Sequence, residues 1–392
     1  MTMQTDYKLS KNERQNRKQV YEEIRDAFAE KYSFIGAQAS REMLMSAASW
    51  NVGKYSDPPF RYRNHVMLTW EPGWIKSTLI KKMQKVLGDE MVSTCGKLTA
   101  AVLRGSVRGA NFSPPAPMKA PIVASTEFGQ SDFSDELLNT FLALLEEGST
   151  NVSLNKIAGL SESAKNNAEK RFDGITFKEN NEFDLDVDFV FWGATHDPSM
   201  LTENALKSRF NIVTPAEPLE GQVTERMDKS RSLTTMLDNS TVKAARSMVQ
   251  SQEPVSTDFK PPSRIYEKFS LSPRESRDLQ SYMASRNWWG LKVNPSIMEN
   301  YISQLKQSRR IADMSKEDRV KSLIFDNPLT YSEISSKTGY SKFELHNIFK
   351  TIDASKAGAK EGKTKWVVRS RDSSSQKDTK QKFLEDIGDL DT

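Results

Sequence analysis

Two hydrophobic rhythms alternate along the chain. Val66-Met67-Leu68, Pro121-Ile122-Val123-Ala124-Ser125 and Asp188-Phe189-Val190-Phe191-Trp192-Gly193-Ala194 are short runs with apolar residues at successive positions, the pattern of strands covered on both faces. Between them the period changes to that of helices. Val20, Ile24 and Phe28 recur at spacing four, and Leu137, Leu138, Phe141, Leu144 and Leu145 form one face of Asp135–Glu147, closed by Gly148. Ser33–Gly36 predicts a turn into a helix through Glu42–Ala48, and Leu79–Met83 begins another helix. Arg104–Asn111 predicts a Gly-rich basic hairpin and Asn151–Lys156 a short alternating strand. Strands alternating with helices predict an α/β fold, a parallel sheet with helices on both faces.

Beyond residue 217 the pattern turns helical. Ser272-Pro273-Arg274-Glu275 is a capping box with Pro at the first helical position; Leu279, Tyr282 and Met283 follow as a stripe. Ile297, Tyr301 and Leu305 share a face of Pro295–Lys306, so a small helical bundle is expected. Thr330–Thr338 predicts a helix, Gly339-Tyr340-Ser341 a turn with Ser341 as N-cap, Lys342–Ile352 a second helix and Lys363–Val368 a β wing. That is the order of a winged helix-turn-helix. The expected organisation is an N-terminal helix (1–31), an α/β core (32–218), a helical bundle (219–315), a winged helix (316–371) and a polar, disordered tail (372–392).

Composition narrows the function. At 392 residues with 28% charged and a mean hydropathy of −0.63, a globular chain of two or three domains is expected. No apolar run approaches the ~20 residues of a membrane span, so no membrane partner is expected. Met1–Gln15 lacks an apolar signal region, and Cys95 is the single cysteine, which suits a reducing cytoplasm. His65, His196 and His346 are far apart, so no zinc spacing exists. The net charge of +4 permits nucleic-acid binding, and its distribution favours one place. From Lys321 to Arg371 there are ten Lys/Arg against five Asp/Glu, which suits phosphate contact.

The candidate chemistry lies at Trp70-Glu71-Pro72-Gly73-Trp74-Ile75-Lys76-Ser77-Thr78. A strand, a tight turn and Lys-Ser at a helix start is the layout of a phosphate-binding loop. Backbone N–H groups and the helix dipole attract phosphates, Lys76 meets the β/γ charges, and Ser77 holds Mg²⁺. Trp70 and Ile75 stand where G-x-x-x-x-G-K-[ST] has glycine.

Seven blocks in order resemble the AAA+ core of the MCM replicative helicases, over roughly residues 33–215. Ile35-Gly36 is similar to that family's lead-in, and Glu71–Ser77 to its G-D-P-G-x-A-K-S loop. Gly96 with Leu98–Val102 resembles G-L-T-A-x-V, and Thr126-Glu127-Phe128 the Walker B Asp-Glu-Phe. Leu145–Leu160 resembles M-E-Q…K-A-G-I, Ala194–Pro198 the A-A-N-P sensor, and Ser208-Arg209-Phe210 the S-R-F block. The resemblance implies ATP and Mg²⁺ as cofactors, bound by Glu71, Pro72, Gly73, Trp74, Ile75, Lys76, Ser77 and Thr78, with Ser77 and Thr126 at the metal. It implies Glu127 polarising water, Thr195 at the sensor (the register is open among Thr195, His196 and Asp197), and Arg209 acting on a neighbouring subunit's γ-phosphate. A trans-acting arginine implies a homo-oligomeric ring or filament, a hexameric ring among the options. The sensor-2 arginine is open among Arg264, Arg274, Arg309 and Arg310. A hairpin within 161–186 would put Lys170 and Arg171 on DNA, and the winged helix, similar to that of archaeal MCM proteins, would add Lys342, Lys350 and Lys365. The implied function is ATP-driven DNA translocation or unwinding, with other replication proteins as further partners, in an archaeal or viral setting. The alternative is a helicase loader or a transcriptional regulator with a weakened ATPase, since Thr126 replaces the metal-ordering Asp.

Overall fold

Apolar residues at successive strand positions must be covered twice, and the chain does this by packing helices on each side of a parallel sheet. A computed structural model of the protein describes residues 9–53, 63–70, 75–108, 111–129, 134–153, 160–178, 182–195, 204–214, 237–251, 261–313, 315–325, 328–338, 342–352, 354–360 and 363–368. It divides into two units, Met1–Asp313 and Met314–Thr392.

The first unit begins α1 (Lys11–Gly53), β1 (His65–Thr69), α2 (Lys76–Leu87), β2 (Val92–Lys97), α3 (Ala100–Arg104), β3 (Ser106–Arg108), β4 (Asn111–Ser113), β5 (Ile122–Glu127), α4 (Asp135–Glu146) and β6 (Ser149–Ser153). It continues α5 (Glu162–Arg171), β7 (Ile175–Phe177), β8 (Glu182–Asp186), β9 (Val190–Thr195), α6 (Asn204–Lys207), β10 (Phe210–Val213), α7 (Asn239–Gln250), α8 (Ser263–Phe269), α9 (Pro273–Trp288) and α10 (Pro295–Asp313).

The central sheet has the order β10-β1-β9-β5-β2, and every neighbouring pair is parallel. The strand period of two sorts its residues between two cores. Val66, Leu68, Ile122, Ala124, Trp192 and Ala194 join one core with α1, α2 and the helices α7 to α10. Met67, Val123, Phe191, Phe210 and Ile212 join the other with Phe141 and Leu144 of α4. The first half of α1 is part of that first core, where Tyr21 lies 5.8 Å from Trp289.

α1 is two helices joined at Tyr32–Ser33, where Ser33 has φ 55°. The expected turn is there, and the second helix starts directly after it, earlier than Glu42. Gly36 is required at this bend, because a Cβ there would stand 2.3 Å from the Phe28 carbonyl oxygen. The basic hairpin is β3–β4, an antiparallel pair. The segment 161–186 differs from the hairpin expected. Its first part is α5, capped by Ser161, and only then does the chain turn through β7 and β8, which pair antiparallel with each other, β8 pairing antiparallel with β6 on its other side. Only Ala168 of α5 is buried, so the helix shows no apolar stripe in sequence.

The second unit runs α11 (Lys316–Ile324), β11 (Leu329–Thr330), α12 (Tyr331–Thr338), α13 (Lys342–Thr351), β12 (Ser355–Lys360) and β13 (Lys363–Val367). Its sheet has the order β11-β13-β12, antiparallel throughout. Val320, Ile324, Ile334, Leu345, Ile348 and Phe349 form its core. Among the described residues no helix is long and apolar enough to cross a membrane. Loop residues 71–74, His196, Asp197, the turn 339–341 and the tail 372–392 lie outside the described residues.

Candidate nucleotide site and arginine cluster

In open parallel sheets ligands gather at the carboxyl ends of the strands, where neighbouring connections diverge. Here β1 lies between β9 and β10, and its carboxyl end leads into the Trp70–Lys76 loop. Ile75 caps α2 in the left-handed region, φ 45° and ψ −1°. A β-branched residue is strained there, and glycine is the residue that adopts this conformation without cost. The deviation from the glycine pattern therefore falls where the backbone asks for glycine.

Lys76 follows as the first residue of α2. It is 8% exposed, its Nζ donates to the Trp70 carbonyl at 2.6 Å, and it stands 5.5 Å from the Trp70 ring centroid. The first turn of α2 has no acidic residue. A buried ammonium at the positive end of a helix dipole is an electropositive spot that favours an anion. Ser77 Oγ donates to the Thr126 carbonyl at 3.0 Å, tying the helix start to the end of β5. Thr126 Oγ1 donates to the Cys95 carbonyl at 3.3 Å. Glu127, the last residue of β5, is exposed, and Phe128 N–H donates to the Ala194 carbonyl at 2.7 Å. Thr195 is buried at the end of β9, in register with Thr69 of β1. The structure thus brings Lys76, Ser77, Thr126, Glu127 and Thr195 to one end of the sheet.

Arg209 lies at the other end, immediately before β10. β1 is five residues long, so at about 3.3 Å per residue the two ends are roughly 15 Å apart. Arg209 and Arg274 both donate to the Glu146 carboxylate, Arg277 stands 3.8 Å from it, and Arg274 also donates to Ser208 Oγ. Arg309 donates to the Ser208 carbonyl at 3.0 Å and to Asp278 at 2.8 Å. Partial burial raises the Glu146 carboxyl, but hydrogen bonding from Arg274 and the charges of Arg209, Arg274 and Arg277 outweigh it and hold it below the usual glutamate range. One carboxylate thus serves three guanidinium groups on this face.

His65 closes the floor of the cluster. The Phe191 N–H donates to its Nδ1 at 3.0 Å, which leaves the proton on Nε2, 3.0 Å from the Leu145 carbonyl. Burial pushes its pKa down to about 3, against the Leu145 hydrogen bond and helped by the charges of Arg63 and Arg209.

Lys170 and Arg171 are exposed at the end of α5, where the Arg171 guanidinium lies 5.3 Å from the Phe172 ring. Lys342 and Lys350 are exposed on α13, and Lys365 is half-buried on β13. Of the sensor-2 alternatives, Arg274 and Arg309 join the Arg209 cluster. Sequence reading missed Glu146 as its hub and Arg277 as a member; the spacing of Arg274, Arg277 and Asp278 on one helix face was the available signal. Among the described residues no three His, Cys, Asp or Glu side chains come together to hold a metal. No family model matches the chain, and no curated protein matches it.

Proposed function

We propose that the protein is an AAA+ ATPase of the MCM type that couples ATP binding and hydrolysis to work on DNA, and that its second unit is a winged helix. The observation that carries this is the placement of Lys76, buried at the left-handed-capped start of α2, with Ser77 bonded to the end of β5. These residues fit a Mg²⁺-nucleotide. Lys76 would hold the β/γ phosphates, and the Ser77 hydroxyl would be one magnesium ligand, the others coming from phosphate and water. Bound ATP supplies the phosphoanhydride, and Glu127 is the exposed carboxylate at the strand end that would orient water. Arg209 and Arg274, at the far end of the sheet, are too distant to reach their own chain's Lys76 site. This supports action on a neighbour's nucleotide in a homo-oligomeric ring.

The order helix, strand, helix, helix and two strands in the second unit supports the DNA-binding reading. A loader or regulator with a weakened ATPase is favoured by one observation. Thr126 offers only a hydroxyl where a carboxylate would order magnesium, and that hydroxyl is engaged with Cys95. Steady-state ATP hydrolysis with and without single-stranded DNA separates the two. The motor reading expects DNA-stimulated turnover that Lys76→Ala and Glu127→Gln abolish; turnover at the level of those variants, with nucleotide still bound, would leave the loader reading.

A further inference from the structure

Helix α13 divides its residues sharply. Leu345, Ile348 and Phe349 are buried, while Lys342, Phe343, His346, Asn347, Lys350 and Thr351 are exposed. These six positions recur at the helical spacing and form one stripe. It carries two lysines and no carboxylate, because Glu344, the helix's single acid, is bonded to Lys316 at 3.1 Å. Phe343 is 75% exposed; among the described residues only Phe34 is a comparably exposed large apolar side chain. The helix is seated by its buried face: Phe349 stacks on Trp366 at 4.7 Å, and Tyr331 packs 5.0 Å from Phe349. The neighbouring strands add Lys356 and Lys365.

Lys342 and Lys350 are eight residues apart, about 12 Å along a helix, which is close to the width of the DNA major groove. Between them stand side chains that match base edges there. Asparagine pairs with adenine N6 and N7, and a phenylalanine ring packs on the thymine methyl group. We propose that α13 reads duplex DNA in the major groove, with Phe343 on a thymine methyl, Asn347 on an adenine, and Lys342 and Lys350 on flanking phosphates. This rests on the winged-helix reading of the second unit and goes beyond it by naming the base contacts. A protein-docking surface would present the same exposed phenylalanine, but the acid-free stripe with a lysine near each end is complementary to a phosphate-lined groove.

The test uses the full-length protein without nucleotide, so it does not depend on the ATPase. A duplex is first selected from a random-sequence pool, then resynthesised with uracil for thymine, which removes only the methyl groups. The wild type is expected to bind the uracil duplex roughly fourfold more weakly, the equivalent of one buried methyl. Phe343→Ala is expected to bind both forms at that weaker level, Phe343→Leu to keep the preference, and Lys342→Ala to weaken every duplex alike. Phe343 is exposed, so these variants fold, which circular dichroism verifies. If selection enriches no sequence, if the wild type ignores the methyl groups, or if Phe343→Ala retains both affinity and preference, the proposal is overturned and the exposed ring belongs to a protein contact.

Discussion

Ile75 and His65 show how single residues expose the local design. At Ile75, the N-cap of α2, the backbone is left-handed, which adds to the ordinary preference for glycine over alanine at a helix N-cap. Ile75→Ala loses buried apolar surface and keeps the strain, whereas Ile75→Gly loses the surface and relieves it. Urea denaturation should find the glycine variant more stable than the alanine variant by about 1 kcal/mol. His65 titrates near 6.5 when unfolded and near 3 when folded. Below pH 6.5 the unfolded chain therefore binds the extra proton. The stabilisation from His65 is complete above about pH 6.5 and is lost as pH falls towards 3, at about 1.4 kcal/mol per pH unit. His65→Gln should flatten this slope between about pH 5 and 6.5, a window above the glutamate range, while lowering absolute stability. The motif letters located Lys76 and Ser77 but gave no sign of His65, because an isolated histidine in a buried strand has no sequence signature distinct from its neighbours.

At the scale of elements, the parallel sheet was legible wherever both strand faces are covered. Val66–Leu68, Ile122–Ala124 and Phe189–Ala194 are apolar at successive positions for that reason. Helix α5 was not legible, since it buries one alanine, and β12 was not, since Ser355–Lys360 has no apolar alternation. Capping was legible at α9. Ser272 accepts from the Glu275 N–H at 3.2 Å, and Glu275 accepts from the Ser272 N–H at 2.8 Å, as the Ser-Pro-Arg-Glu spacing predicts. Ser272→Ala should cost about 1 kcal/mol in chemical denaturation. It should also loosen α9 as a platform for Arg274 and Arg277, so hydrogen exchange at the first turn should accelerate.

At the scale of the molecule, the candidate phosphate loop and the arginine cluster occupy opposite ends of one sheet, and that separation decides how subunits would cooperate. If Arg209 serves a neighbour, a mixture of Lys76→Ala and Arg209→Ala subunits contains interfaces with both groups intact. Mixing the two inactive variants should then restore part of the ATP hydrolysis that each lacks; no recovery would place Arg209 in a purely structural role. The arginine cluster was only partly legible, because Arg209, Arg274 and Glu146 are distant in sequence and converge through the ordering of strands and helices. The central claim is that Lys76 holds a nucleotide phosphate, and equilibrium titration of Mg²⁺-ATP by calorimetry tests it most directly. The wild type should bind in the micromolar range, with Lys76→Ala weaker by at least about tenfold, a loss of roughly 1.4 kcal/mol. Equal affinity in the two proteins, or no binding by the wild type, would contradict the nucleotide site itself.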